Sequence, residues 1–383
     1  MSEYQFYEFL AVDRPLDPRQ LDEVRSLSTR ADITPSSFVN AYHWGNFHGD
    51  PRAMMERYYD AHLYLTNWGT REVMLRLPVS VLDPDTVGAY CLTDSSTAWT
   101  SSGNVIVALT RDGDGDDDFF DEDGHGLLGS IVSVRGELAA GDLRPLYLAW
   151  LHSVAEGELD DDEVEPPVPA NLAAPSAGQR SLVDFIRLDH SLLDAAAEGS
   201  RSRDISRPTK AQLTAWVRAL PSIEKDALLV GLMREEEPHV GTRLLRRFHG
   251  GHEHAAEAGG GRTVGQLLEA AQDRREHRAR VAAEELERQR AKAQREAAAA
   301  RQRRLDSLAR EGERAWQRVT TLVDAKKAKE YDAAVALLSD LRDLSDREDN
   351  RAAFTARLRE LRQRCGNRPA LLERLDRAGL KTA

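Results

Sequence analysis

The chain has 383 residues, of which 64 are acidic and 52 basic, giving a formal net charge of -12. That length suits two or three domains, and the acidic balance opposes non-specific binding to nucleic acid or anionic membrane by the chain as a whole. Two distant cysteines, Cys91 and Cys365, exclude a disulfide framework, and no apolar run approaches membrane-spanning length.

The opening, MSEYQFYEFL, carries Glu3 and Glu8 where a secretory leader would carry basic residues. The expectation is a cytoplasmic protein with no membrane contact. Residues 1–157 read as one α+β domain that folds without the rest. YQFYEFLAV and REVMLRLPV alternate and are rich in strand formers. Three segments open with Asp-Pro, at Asp17, Asp50 and Asp83. An N-cap aspartate accepts a bond from an orphan N–H, and proline at N1 has no N–H to leave unpaired. Gln20, three residues after Asp17, predicts a capping box. The second segment, DPRAMMERYYDAHLYLTNW, reads as one helix with Met55, Tyr58, Tyr59, His62 and Leu65 on a common face. GNVIVALTRDG reads as a strand, followed by an acidic loop and two helices, GLLGSIVSVRGELA and LRPLYLAWLHSVAEG.

The acidic loop alternates Asp112, Asp114 and Asp116 as a calcium loop does. The glycine and glutamate that such a loop needs are replaced by Asp117 and Asp123. Its reading is a solvated loop.

Residues 158–178, acidic and then Pro- and Ala-rich, read as a linker or surface strap. Residues 179–248 read as a small helical module, on the spacing of Leu182, Phe185, Ile186, Leu192 and Leu193 and of Leu213, Trp216, Val217 and Leu220. Residues 249–262 read as a Gly/His loop. Thr263 with Gln266 predicts a second capping box, opening a long charged helix over 263–323. Its middle is Ala, Arg and Glu, a thin seam for a coiled coil. At 1.5 Å per residue such a helix would be a rod of about 90 Å. Residues 324–383 read as a C-terminal helical module, with Phe354, Leu358, Leu361 and Cys365 as its packed stripe. The fold class is therefore an α+β N-terminal domain followed by a mainly α-helical C-terminal half with a long charged, coiled-coil-like helix.

Three groups of residues could carry function. His249, His252 and His254 bring three imidazoles into six residues, a metal-ligand type of cluster. Glycines flank it on both sides and no cysteine is near, so it reads as an exposed loop. Residues 38–68 hold eight of the 24 aromatics. Such residues build the core of a small domain, and with polar edges they also build partner-binding surfaces. Within them Tyr42, His43, Trp44 and His48 lie on an irregular turn, and with His62 they are the candidate ligand- or partner-binding residues. The third group is the basic run Arg301, Arg303 and Arg304, a candidate phosphate-contacting face for nucleic acid.

The phosphate-binding loop, nucleophile elbow and zinc-protease signatures are missing, and the residues name no cofactor. The most economical reading is a cytoplasmic, non-enzymatic scaffold or adaptor joining protein partners through the α+β domain and the helical modules. Its long helix would set their spacing or pair with a partner. The alternative is a nucleic-acid-associated accessory protein using the basic helix. An enzyme with a site in the aromatic N-terminal domain is the third reading.

Overall fold

The three Asp-Pro pairs each start a helix. In the computed structural model, which describes residues 4–43, 45, 47–113, 124–202, 209–233, 240–250 and 261–381, strand β1 (Gln5–Leu10) leads to helix α1 (Pro18–Leu27). The Gln20 N–H donates to the Asp17 carboxylate at 2.9 Å, and the Asp17 N–H donates back to Gln20 Oε1 at 3.0 Å. After β2 (Asp32–Ile33) and β3 (Ser37–Tyr42), Asp50 caps α2 (Pro51–Arg57) by accepting from the Arg52 N–H at 2.9 Å.

Helix α2 stops at Arg57, and AHLYLT, a little further on, forms strand β4 (Ala61–Thr66). The single helix expected over this stretch is thus a short helix and a strand. A 3.6-residue stripe fits Tyr59, His62 and Leu65, whereas the two-residue alternation of a strand puts His62 and Leu65 on opposite faces. The alternation prevails because β4 pairs with β1 on one side and β5 (Arg71–Pro78) on the other. Asp83 then caps α3 (Pro84–Gly88) through the Thr86 N–H, and β6 (Ser96–Ser101) and β7 (Asn104–Arg111) close the sheet as a hairpin.

Among the described residues, seven strands make one antiparallel sheet in the order β2-β3-β1-β4-β5-β7-β6. Neighbouring side chains on a strand face opposite ways, so the sheet has two buried faces. One carries Phe6, Leu63, Leu65, Val73, Leu75, Val105 and Val107. It packs against α4 (Leu127–Ile131), α5 (Ser133–Ala139), α6 (Arg144–Ala155), α7 (Ala177–Phe185) and α8 (His190–Ala197). The other carries Tyr7, Phe9, Phe38, Met74, Ile106 and Ala108 under Val24 of α1 and Met54 and Met55 of α2. Each such large side chain contributes about 1.5–3 kcal/mol on burial.

The first core does not stop at residue 157. It continues into Leu172, into Leu182, Val183, Phe185 and Ile186 of α7 and its C-cap, and into Leu192 and Leu193 of α8. The acidic, Pro-rich 158–178 stretch is accordingly packed against the body as a strap. The Tyr90 hydroxyl donates to the Pro167 carbonyl at 2.9 Å, and Arg262 bonds Glu165. The stripe at 182–193 is split into two helices where Arg187 takes a φ of 52°. Three further helices follow, α9 (Lys210–Ala219), where the spacing of Leu213, Trp216 and Val217 places one, α10 (Ser222–Met233) and α11 (Val240–Gly250).

Helix α12 (Val264–Glu311) opens with the second capping box, in which the Thr263 N–H donates to Gln266 Oε1 at 3.1 Å and the Gln266 N–H to Thr263 Oγ1 at 3.3 Å. Val264, Leu267 and Ala271 belong to the first core. The long helix does not run on to 323. It breaks at Gly312, whose φ of 53° and ψ of -117° suit glycine alone.

The chain divides into two compact units, residues 1–278 and 279–383. In the second, α13 (Glu313–Asp324), α14 (Ala328–Arg347), α15 (Arg351–Arg364) and α16 (Pro369–Arg377) close a helical core with Leu305 and Leu308 from the last turns of α12. The stripe Phe354, Leu358, Leu361 and Cys365 is buried there as its spacing requires. No helix among the described residues is long and apolar enough to cross a membrane.

Candidate functional site

The register of the sheet assembles a polar row that chain order conceals. Tyr7 of β1 faces Asn40 of β3 and Tyr64 of β4; Tyr64 faces Glu72 of β5; Glu72 faces Thr110 of β7. Asn40, Tyr7, Tyr64, Glu72 and Thr110 therefore cross five strands side by side, on the face that α1 and α2 cover. The adjacent row is Phe38, Phe9, His62, Met74 and Ala108, and it is buried. Helices α1 and α2 cover this second row well. At the polar row, Tyr64, Glu72 and Thr110 are only partly buried.

His62 joins the two rows. Its ring stacks on Phe9 with centroids 3.9 Å apart, and it has no exposed surface. Nδ1 lies 2.9 Å from the Glu8 carbonyl, which can only accept, so Nδ1 carries the proton and Nε2 a lone pair. Nε2 is buried without a hydrogen-bond partner and lies 3.8 Å from Glu72 Oε1. Burial holds the imidazole neutral, with its pKa lowered to about 3, against the smaller upward pull of the Glu8 carbonyl.

Glu72 is the complementary case. Burial pushes its carboxyl up to about 7, and the Thr110 hydroxyl, donating to Oε2 at 3.4 Å, offsets only part of that. No lysine or arginine among the described residues forms an ion pair with it. Tyr7 and Tyr64 stand beside it, their ring centroids 4.6 Å apart, and both hydroxyls donate to Gln5 Oε1. Burial raises both phenols, so they stay protonated donors. What the site offers inward is thus a set of acceptors: a carboxylate and an imidazole lone pair framed by aromatic rings.

Two other ionic clusters in this unit are closed. Asp60 accepts from the Val12 and Asp13 N–H groups and from Arg76, while Arg135 bonds the Arg76 carbonyl and the Asp13 carboxylate. Glu165 pairs with Arg262 and accepts from the Tyr147 hydroxyl. These networks satisfy their members and fix the strap and α5 to the body. Glu72 and His62 keep capacity unused, and so do His152, whose buried Nδ1 lies 3.9 Å from Glu156 Oε1 without a hydrogen bond, and Glu8 at Oε2.

Of the residues singled out from sequence, Tyr42 and His62 lie on this same face, linked through Tyr7, whose ring meets both. Phe38, Tyr42, Phe47 and Tyr59 are core. His43 and His48 are exposed on the turn after β3, His43 beside Tyr4. Trp44 lies outside the described residues, as do Asp114, Asp116, Asp117 and Asp123 of the acidic loop. His252 and His254 also lie outside them, and of His249 only the backbone, in α11, is described. No group of three or more His, Cys, Asp or Glu side chains that could hold a metal occurs among the described residues. Arg301 and Arg304 are ion-paired with Asp343 and Asp340 of α14, and Arg303 is exposed. Tyr7, Tyr64 and Glu72 are the site residues that the sequence reading passed over. Their signal is a polar or aromatic residue at every second position of strands that are otherwise apolar.

Comparison with known protein families, curated proteins and solved structures found no match to this chain.

Proposed function

We propose that the chain is a cytoplasmic, non-enzymatic scaffold or adaptor that joins protein partners through its α+β unit and its helical C-terminal modules. The observation that carries this reading is in α12. Every residue from 275 to 304 is exposed, including Val281 and Leu286. Ordering a backbone costs about 1–2 kcal/mol per residue. Arg275 and Arg278 at one end pair with Asp189 and Asp194, and Arg301 and Arg304 at the other with α14, but between 279 and 300 the contacts among the described residues are local, through Ala, Glu and Arg propensity and i,i+4 contacts such as Arg288 with Glu284. A helical stretch that adds nothing to either core is left to connect or to receive a partner. The pairing of Arg301 and Arg304 with carboxylates of α14 leaves less positive charge there for a phosphate backbone, which favours the adaptor over the nucleic-acid reading.

The test is to identify the proteins captured by residues 1–278 and by the full chain, and then to delete residues 283–300. Eighteen residues are about five whole turns at 3.6 residues per turn, so the helix phase is kept. Thermal unfolding should be unchanged and simultaneous capture of two partners should be lost. Undiminished joint capture by the deletion variant would overturn the proposal.

A further inference from the structure

We propose that strand β6 is the edge through which two copies of this chain join their sheets, antiparallel about a two-fold axis at Trp99. This pairing goes beyond the adaptor reading and does not rest on it.

The sheet treats its two edges differently. An edge strand presents a row of unpaired main-chain groups, and proteins blunt such edges with short strands, charges, proline or bulges. The β2 edge is blunted: it has two residues, Asp32 and Ile33, with Pro35 just beyond them. The β6 edge is not. Its six residues, Ser96–Ser101, carry no charge and no proline, and Thr97, Trp99 and Thr100 favour strands. They pair with β7 in an unbroken register, without a bulge.

The hairpin fixes which groups face outward. Ser102 and Gly103, with φ of 50° and 76°, make a two-residue turn. Ser101 and Asn104 beside it therefore form a hydrogen-bonded pair, and so do Trp99 with Ile106 and Thr97 with Ala108. The Thr110 N–H, donating to the Ser95 carbonyl at 2.8 Å, keeps the same alternation. The main-chain groups of Ser96, Ala98 and Thr100 thus point away from β7. Those of Ser96 are spent on Thr93, with both bonds at 3.3 Å. Among the described residues, nothing bonds those of Ala98 and Thr100 on the outer side.

Two donors and two acceptors at strand spacing are matched by another extended strand. A second β6 satisfies all of them in one register only. With Ala98 opposite Thr100 of the copy, and Thr100 opposite its Ala98, four hydrogen bonds form. If Ala98 met itself, Thr100 would face Ser96, whose groups are spent. If Thr100 met itself, Ala98 would face Ser102, in the turn. Either slip leaves two bonds. The four-bond register sets Trp99 opposite its own copy at a non-hydrogen-bonded position, where cross-strand side chains lie closest. The indole is already held there, since Nε1 donates to Glu56 Oε1 at 2.9 Å and the Arg52 guanidinium lies 4.0 Å from the ring centroid. An uncharged edge also lets two copies of a chain of net charge -12 meet without like charges opposed.

The test is sedimentation equilibrium of the full chain over a concentration series reaching about 100 μM, where a micromolar dimer is well populated. The parent should be dimeric at the top of the series. Ala98→Pro and Thr100→Pro each remove an outward N–H and leave the β7 ladder its donors. Each should raise the dissociation constant at least about tenfold. Copper-phenanthroline oxidation reads the register. Both native cysteines are buried, so a crosslink reports the new thiol. Trp99→Cys should form a disulfide with its own copy, the two Cα atoms standing about 4.5 Å apart. Thr97→Cys should not, being about 13 Å from its own copy. A monomer throughout the series would overturn the proposal, as would undiminished association of either proline variant that folds. If neither folds, the oxidation decides: no disulfide in Trp99→Cys, or equal crosslinking in Thr97→Cys, would overturn it.

Discussion

His62 Nε2 faces Glu72 Oε1 across 3.8 Å inside the sheet's second buried face, with no hydrogen bond between them. The two residues sit one strand apart and one register step out of line, since His62 pairs with Met74 and Tyr64 with Glu72. Burial disfavours the charged form of each, which raises the Glu72 carboxyl to about 7 and lowers the His62 imidazole to about 3.

The pair sets opposing pH slopes on stability. The Glu72 carboxyl, raised from 4.5 to about 7, binds a proton in the fold that the unfolded chain has already released. Its contribution therefore favours the fold below about 4.5 and is lost as pH rises to about 7. His62, lowered from 6.5 to about 3, works the other way. The unfolded chain binds its proton first, so stability falls as pH drops from about 6.5 toward 3. Between about 4.5 and 6.5 the two slopes cancel. In Glu72→Gln the His62 slope is left alone, and stability relative to the parent should rise with pH across that window, by about 2–3 kcal/mol in all. Urea unfolding at several pH values across and just above that window checks it; parallel curves for parent and variant would refute the pairing.

Residues 1–157 alone should not unfold cooperatively, whereas 1–278 should. A cut at 157 removes Leu182, Val183, Phe185 and Ile186 from the sheet's first face and leaves Arg71, which donates to the Phe185 carbonyl at 3.0 Å, without that acceptor. Losing even these four side chains from the core forfeits several kcal/mol, comparable with a domain's whole stability. Calorimetry of the two fragments decides; a sharp endotherm from 1–157 would show that the strap and α7 are dispensable.

Local signals in the sequence were the reliable ones. The capping boxes at Asp17–Gln20 and Thr263–Gln266 and the stripe from Phe354 to Cys365 depend on neighbours within a turn or two, and each forms as its residues dictate. The α+β half followed by a helical half was legible for the same reason. What could not be read is what depends on pairing across the chain. His62 was visible as a histidine among aromatics, but its partner Glu72 is set by the β4–β5 register. Tyr7 reaches Tyr64 only because β1 is inserted between β3 and β4. Composition left 158–178 open between a linker and a surface strap; proline and acid cannot say which, and the strap is set by partners elsewhere in the chain, which Leu172, Glu165 and the Pro167 carbonyl each find in the body.

Gly312→Ala should lower the unfolding temperature of the C-terminal unit. Nothing lies within 4 Å of where the new Cβ would stand, so no clash contributes. The cost is conformational, because a φ of 53° with a ψ of -117° is a glycine region. It should amount to about 1–3 kcal/mol. An unchanged melting curve would mean that the junction between α12 and α13 accepts a methyl side chain without strain.

Charge reversal in the basic run separates the functional readings. Arg301 and Arg304 face Asp343 and Asp340 on α14, so Arg301→Glu with Arg304→Glu places like charges together on the surface of the second core. The arginines are largely exposed, and each pair contributes about 0–1 kcal/mol. The double variant should therefore lose about 1 kcal/mol of stability, recovered in part when Asp340 and Asp343 are changed to Arg. Arg303→Glu alone should have no such effect. The parent chain should show no retention on DNA or RNA that declines with salt. Retention that falls steeply between roughly 50 and 200 mM salt and disappears when Arg301, Arg303 and Arg304 are all changed to Glu would return the nucleic-acid reading to first place.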